Sequence, residues 1–126
     1  MFTSKLDRWS YLAPLILRLG LGAVVVWFGA SQLIDPASWL FYVPSWTQSL
    51  GLAAQTVIVL NGLLEVSLGS LMTLGVLTRF AALIFFCHMI IIVLELGLTA
   101  IGVRDIGLSA GLLALAFMKD DRYMLS

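Results

Sequence analysis

Four apolar stretches, each close to the length a helix needs to cross a bilayer, fill most of the chain, and each has charged or titratable residues inside it. Arg18 interrupts the first, Glu65 the second, His88 and Glu95 the third, and Arg104 with Asp105 the fourth. A charge at a bilayer centre costs at least roughly 2.5 to 3.5 kcal/mol, so such residues face a bundle interior, a partner charge or a water-filled cavity. The expected fold is all-α, an integral membrane four-helix bundle whose chemistry lies in its polar interior.

Composition agrees. Hydrophobic residues make up 61% of the 126 and charged residues 11%, outside the range of ordinary soluble domains. Seven Lys/Arg balance seven Asp/Glu, and no basic block is present that could neutralise a run of phosphates, so nucleic acid is not an expected partner. The single cysteine, Cys87, excludes an intrachain disulfide and a dithiol motif and is expected to be a small core residue in an apolar run.

Apolar patterning predicts spans near 11–34, 55–76, 79–98 and 101–118. The first is read as a retained span rather than a cleaved leader: its apolar run is too long, Arg18 interrupts it, and Asp7 sits where a leader is purely basic. No Ser/Gly-rich linker follows, so residues 1–126 are expected to form a single domain.

Lys5 and Arg8 precede the first span, Arg79 separates the second and third, and Lys119 and Arg122 follow the fourth. Arg104 alone lies toward the opposite side, so the positive-inside rule predicts cytoplasmic termini, N-in and C-in. The 35–54 connection then faces outward. It carries Trp39, Phe41, Tyr42 and Trp46 around Pro36 and Pro44, which suits either an interfacial anchor or a lid over an outward-facing cavity.

Counting about 1.5 Å of rise per residue from the cytoplasmic ends puts Glu65 and His88 near the midplane, within reach of the long Arg18 side chain. Glu95, Arg104 and Asp105 fall higher, as a second polar cluster with Arg104 between two carboxylates. Arg18 with Glu65 is either a buried ion pair fixing helix register or a binding site. In the second case a guanidinium, a carboxylate and an imidazole offer donors, an acceptor and a group titrating near neutrality, suited to a quinone headgroup or a proton relay. His88 stands without a second His or Cys at ligand spacing, so neither a metal site nor a covalently bound cofactor is expected. Small residues at Gly22 and Gly29, Gly62 and Gly69, and Gly107 and Gly111 mark helix stripes for close packing within the chain or in a homodimer.

With RLGLG at 18–22, Gly29, NGLLEVSLG at 61–69, TLGVLTR at 73–79 and VRDIG at 103–107, the chain resembles the DoxX family of small four-helix membrane proteins. The resemblance implies that Arg18, Glu65, Arg79 and Asp105 occupy the family's characteristic polar positions. It also implies a redox context, since the family's namesakes are associated with thiosulfate:quinone oxidoreductase subunits and with membrane oxidoreductase complexes answering thiol or oxidative stress.

The resulting expectation is a bacterial inner-membrane subunit of a redox assembly. Arg18 and Glu65 would hold a quinone headgroup, Glu65 and His88 would relay protons, and a redox protein partner would supply electrons. The alternatives are a small proton-coupled transporter and a non-catalytic membrane anchor or assembly scaffold.

Overall fold

The computed structural model describes residues 2–125 and is helical, with no strand among them. The long helices are α2 (Ala13–Ile34), α4 (Ala54–Leu74), α5 (Thr78–Leu96) and α6 (Ala100–Phe117), each long and apolar enough to cross a membrane. A short helix, α1 (Phe2–Asp7), and a 3-10 turn (Ser10–Leu12) lead into α2. A second 3-10 helix (Pro36–Tyr42) and the one-turn α3 (Trp46–Ser49) make up most of the connection from α2 to α4. The expected spans are all present, with the second and third ending two residues early.

Local chemistry sets these ends. Gly75, at φ 77°, closes α4 through bonds from Val76 N to Leu71 O at 2.9 Å and from Gly75 N to Met72 O at 3.2 Å, the pairing of a left-handed glycine cap. Thr99 starts α6 by accepting from Gly102 N at 3.1 Å.

The bundle is built from two helix pairs, α2 with α4 and α5 with α6, which form its most extensive interfaces. Glycine determines the first. A Cβ on Gly29 would lie 2.9 Å from Gly62 O, and one on Gly62 would lie 2.9 Å from Gly29 O, so the two backbones touch where any larger residue would separate them. Gly22 and Gly69 repeat the contact seven residues away, a Cβ on Gly22 lying 3.1 Å from Gly69 O. The two seven-residue spacings are thus one seam inside the chain. Gly107 faces open space and Gly111 faces Leu17 and Leu21, so this third pair does not act as one stripe.

The buried apolar core includes Leu68, Met72, Ala81, Ala82, Leu112 and Leu115. The outer faces carry exposed Ile16, Trp27, Leu60, Phe80, Leu94 and Phe117, the inverse of a water-soluble bundle. Cys87, expected in the core, is exposed instead, because its position on α5 turns away from the buried stripe of Ala81, Ala82, Phe85 and Met89. The core fills the end of the bundle at which both termini lie: Arg122 stacks on Tyr11 at 4.5 Å, and Leu125 N bonds Leu74 O at 3.3 Å. The other half, toward the 35–53 connection, is not filled.

Candidate functional site

In that unfilled half, between the two helix pairs, lies a cavity of about 430 Å³. Leu21, Phe85, Met89 and Leu112 separate it from the solid core, and Trp39, Tyr42, Pro44, Trp46 and Thr47 of the connection close it from the opposite side. Most of its wall is apolar or aromatic. Its polar residues are Gln32 of α2, Asn61 and Glu65 of α4, His88 and Glu95 of α5, and Arg104 and Asp105 of α6.

Glu65 sits mid-helix, about 13 Å from the end of α4, and is 5% exposed. Two neutral amides hold its carboxyl. Gln32 Nε2 donates to Oε2 at 3.1 Å and Asn61 Nδ2 to Oε1 at 3.0 Å, while Asn61 also donates to Gln32 Oε1 at 2.6 Å. The Gly29/Gly62 seam makes this possible: Gln32 lies three residues after Gly29 and Asn61 next to Gly62, where the backbones are close enough for short side chains to bond across. Among the described residues no cation is within ion-pair distance of Glu65.

His88, one turn beyond Phe85 on α5, packs its ring 5.5 Å from the Phe85 ring, and its Nε2 is buried with no hydrogen-bond partner. Arg104 reaches Asp105 Oδ1 through Nε at 3.1 Å and Nη2 at 3.0 Å, and its guanidinium lies 5.0 Å from the centre of the Phe28 ring. Asp105 is buried while the Arg104 side chain is about half exposed. Glu95 lies apart from this pair, near the end of α5, where it accepts a bond from Trp46 Nε1 at 2.7 Å.

The structure therefore brings together five of the six polar residues expected from sequence, and brings them into one cavity instead of two layers. Arg18 is the exception and does not line the cavity. It is 1% exposed at the opposite end of the bundle, donating through Nη1 to Met72 O at 3.0 Å and Thr73 O at 2.6 Å and through Nε to Asp121 Oδ2 at 2.9 Å. The expected meeting of Arg18 with Glu65 does not occur, because Arg18 lies only five residues into α2 and its side chain is consumed by the carbonyls ending α4 and by the chain's last segment. Glu95 likewise does not flank Arg104, since Trp46 takes its carboxylate. Arg79 is also structural here, donating to Ala116 O at 2.8 Å at the end of α6.

Four spanning helices with lipid-type outer faces around a polar-ended cavity define a polytopic helical membrane protein. Residues 13–98 match the DoxX family profile, and the chain belongs to the DoxX family. That match takes in Glu65, His88 and Glu95, while Arg104 and Asp105 of α6 lie beyond it. Comparison with curated proteins and with solved structures gave no match.

Proposed function

We propose that the cavity binds the headgroup of a membrane-soluble quinone and that the protein serves as an integral subunit of a redox assembly. The observation that carries this reading is Glu65: a carboxyl buried at mid-membrane depth, oriented by two amides and left without a cation, on the wall of an apolar cavity. A carboxyl serving only to fix helix register would be neutralised by a partner charge. The volume is within the roughly 300 to 1,000 Å³ of small-molecule sites, and aromatic walls with a few convergent polar groups are what such sites use. Reducing a quinone to its quinol takes two electrons and two protons. Glu65 and His88 deliver the protons, and a redox protein partner supplies the electrons. Arg104, beside Asp105 and Phe28, orients the headgroup.

Lys5, Arg8, Arg79, Lys119 and Arg122 lie toward the end of the bundle that holds the termini and Arg104 toward the connection, which supports cytoplasmic termini in the bacterial inner membrane we propose. The cavity then lies in the outer-leaflet half, beneath the connection.

The test is saturable quenching of Trp39 and Trp46 fluorescence by a short-tailed benzoquinone, with the protein in lipid nanodiscs and Trp9 and Trp27 replaced by Phe. Binding that weakens at least about tenfold in folded Glu65→Gln supports the reading, and no saturable quenching in the parent protein contradicts it.

A second reading, proton-coupled export of a lipophilic cation, is favoured by the same unpaired carboxyl facing aromatic walls. Displacement of the quinone by tetraphenylphosphonium, or saturable binding of that cation alone, would select it.

A further inference from the structure

A second cavity of about 440 Å³ adjoins the first. Phe41 to Pro44 of the connection form one side, and Leu96, Thr99, Ala100 and Ile101 at the turn between α5 and α6 form the other. The two cavities share Tyr42, Val43, Pro44, Glu95, Leu96 and Ile101 in their linings, so these residues form the wall between them. Both lie at the end of the bundle occupied by the connection. The outer cavity contributes no lining residue from the solid core, and its wall residue Phe41 is 91% exposed, so it lies at the lipid headgroup level.

One side-chain bond ties the two sides of this passage. Trp46, on α3, donates from its indole nitrogen to Glu95 at 2.7 Å, joining the connection to α5 across 49 residues. Trp46 and Glu95 both line the inner cavity, and Glu95 lines the outer one as well. Both side chains are on the exposed side of the bundle, with Trp46 at 48%. The α5 end of the bond lies two residues before Gly97, which turns the chain at a φ of 63° with open space on its Cβ side. The connection is itself short-range structure, a 3-10 helix and one helical turn, seated on α2 and α4 by packing such as the Trp39 ring 5.8 Å from Phe28.

We propose that the outer cavity is the vestibule through which a quinone enters from the headgroup region, and that the Trp46–Glu95 bond is the gate between vestibule and site. The proposal rests on the quinone reading of the inner cavity. A ligand of this class partitions into the bilayer, so lateral entry at the headgroup level avoids crossing the packed core at the opposite end. With the bond made, the Glu95 carboxylate, which lines both cavities, is held by the indole of Trp46 at the edge of the inner one. With it broken, the connection is released from α5. The gate lies at the mouth, away from the Gln32–Asn61–Glu65 network, so it governs the rates of entry and exit more than the depth of binding.

The test uses stopped-flow quenching by a one-isoprene benzoquinone in nanodiscs, in the background with Trp9 and Trp27 replaced by Phe. Two variants break the bond from opposite sides: Glu95→Ala removes the acceptor and Trp46→Phe removes the donor while keeping a ring, with Trp39 still reporting. Loss of one hydrogen bond to a partly exposed carboxylate predicts that association and dissociation rates both rise roughly three- to tenfold in each variant, the equilibrium constant changing much less. Binding with unchanged rates in both variants overturns the gate and leaves the inner site standing. Absence of any saturable binding in the parent overturns both.

Discussion

The Arg18 guanidinium and the Asp121 carboxylate, 103 positions apart, meet in two contacts of 2.9 and 3.2 Å, and through them the last residues of the chain fold back over the end of the bundle. Tyr123 N also donates to Asp121 Oδ1 at 2.9 Å, and the Met124 side chain packs against Gly75. This end is closed by a buried cation and a strap, while the cavity lies in the other half.

Breaking that pair from one side leaves a buried guanidinium unpaired. Asp121→Leu should destabilise the protein by about 3 kcal/mol, while the double variant with Arg18→Met should recover most of the loss, because a buried ion pair is replaceable by apolar packing but not divisible. Thermal unfolding of the four proteins in detergent reads the coupling. Additive losses would show that the two residues act independently.

The same contact makes stability depend on acid. The Arg18 hydrogen bond, the largest influence, holds the Asp121 carboxyl below its ordinary value of 3.8. The unfolded chain therefore takes up this proton more readily than the folded one, so the contribution is complete above about pH 3.8 and is lost as pH falls through the lower folded value. The difference in unfolding midpoint between wild type and Asp121→Asn should be constant from neutrality to about pH 4 and shrink below it. A difference that stays constant down to about pH 2.5 would be the contrary result.

The glycine seam gives a position-specific contrast. A Cβ at Gly29 would lie 2.8 Å from Val66 N and 2.9 Å from Gly62 O, neither of which can yield without moving a helix. Gly29→Ala should cost about 1 to 3 kcal/mol. Gly107→Ala, with nothing within 4 Å of the new atom, should be neutral or stabilising by up to about 1 kcal/mol. Equal effects at the two sites, measured by detergent unfolding, would contradict close packing of α2 on α4.

Gln32 and Asn61 hold the Glu65 carboxyl in place, so the proposed quinone binding predicts an effect of both through Glu65. Gln32→Leu removes one donor and strands part of the carboxyl, at about 1 to 3 kcal/mol of stability. It should weaken quinone binding in the folded fraction, with Gln32→Asn restoring less than full affinity because the shorter amide does not span the same gap. Binding unaffected by Gln32→Leu would show that the Gln32 bond to Glu65 plays no part in it.

The fold was legible from sequence because twenty-residue apolar runs leave few alternatives to spanning helices; the glycines seven apart marked close packing but not whether it lay within the chain or between copies. Depth counting put Glu65 and His88 at similar heights, and both line the cavity. It failed for Arg18 because height along a helix says nothing about which way a long side chain turns, and its partner Asp121 lies in a non-helical tail where no register argument applies. Gln32 and Asn61 were missed because neutral amides do not stand out in a search for charges. The signal was present, since Asn61 and Glu65 are four apart on one helix and Gln32 interrupts an otherwise apolar turn of α2.

Whether a quinone occupies the cavity beside Glu65 is decided by photolabelling with a short-tailed azidoquinone and mass spectrometric mapping of the adducts. Occupancy of the cavity predicts label on lining residues such as Phe28, Phe85 and Met89, suppressed by excess unlabelled quinone and lost in Glu65→Gln. Label confined to lipid-facing residues such as Trp27, Phe80 and Phe117, and insensitive to competitor, would contradict it.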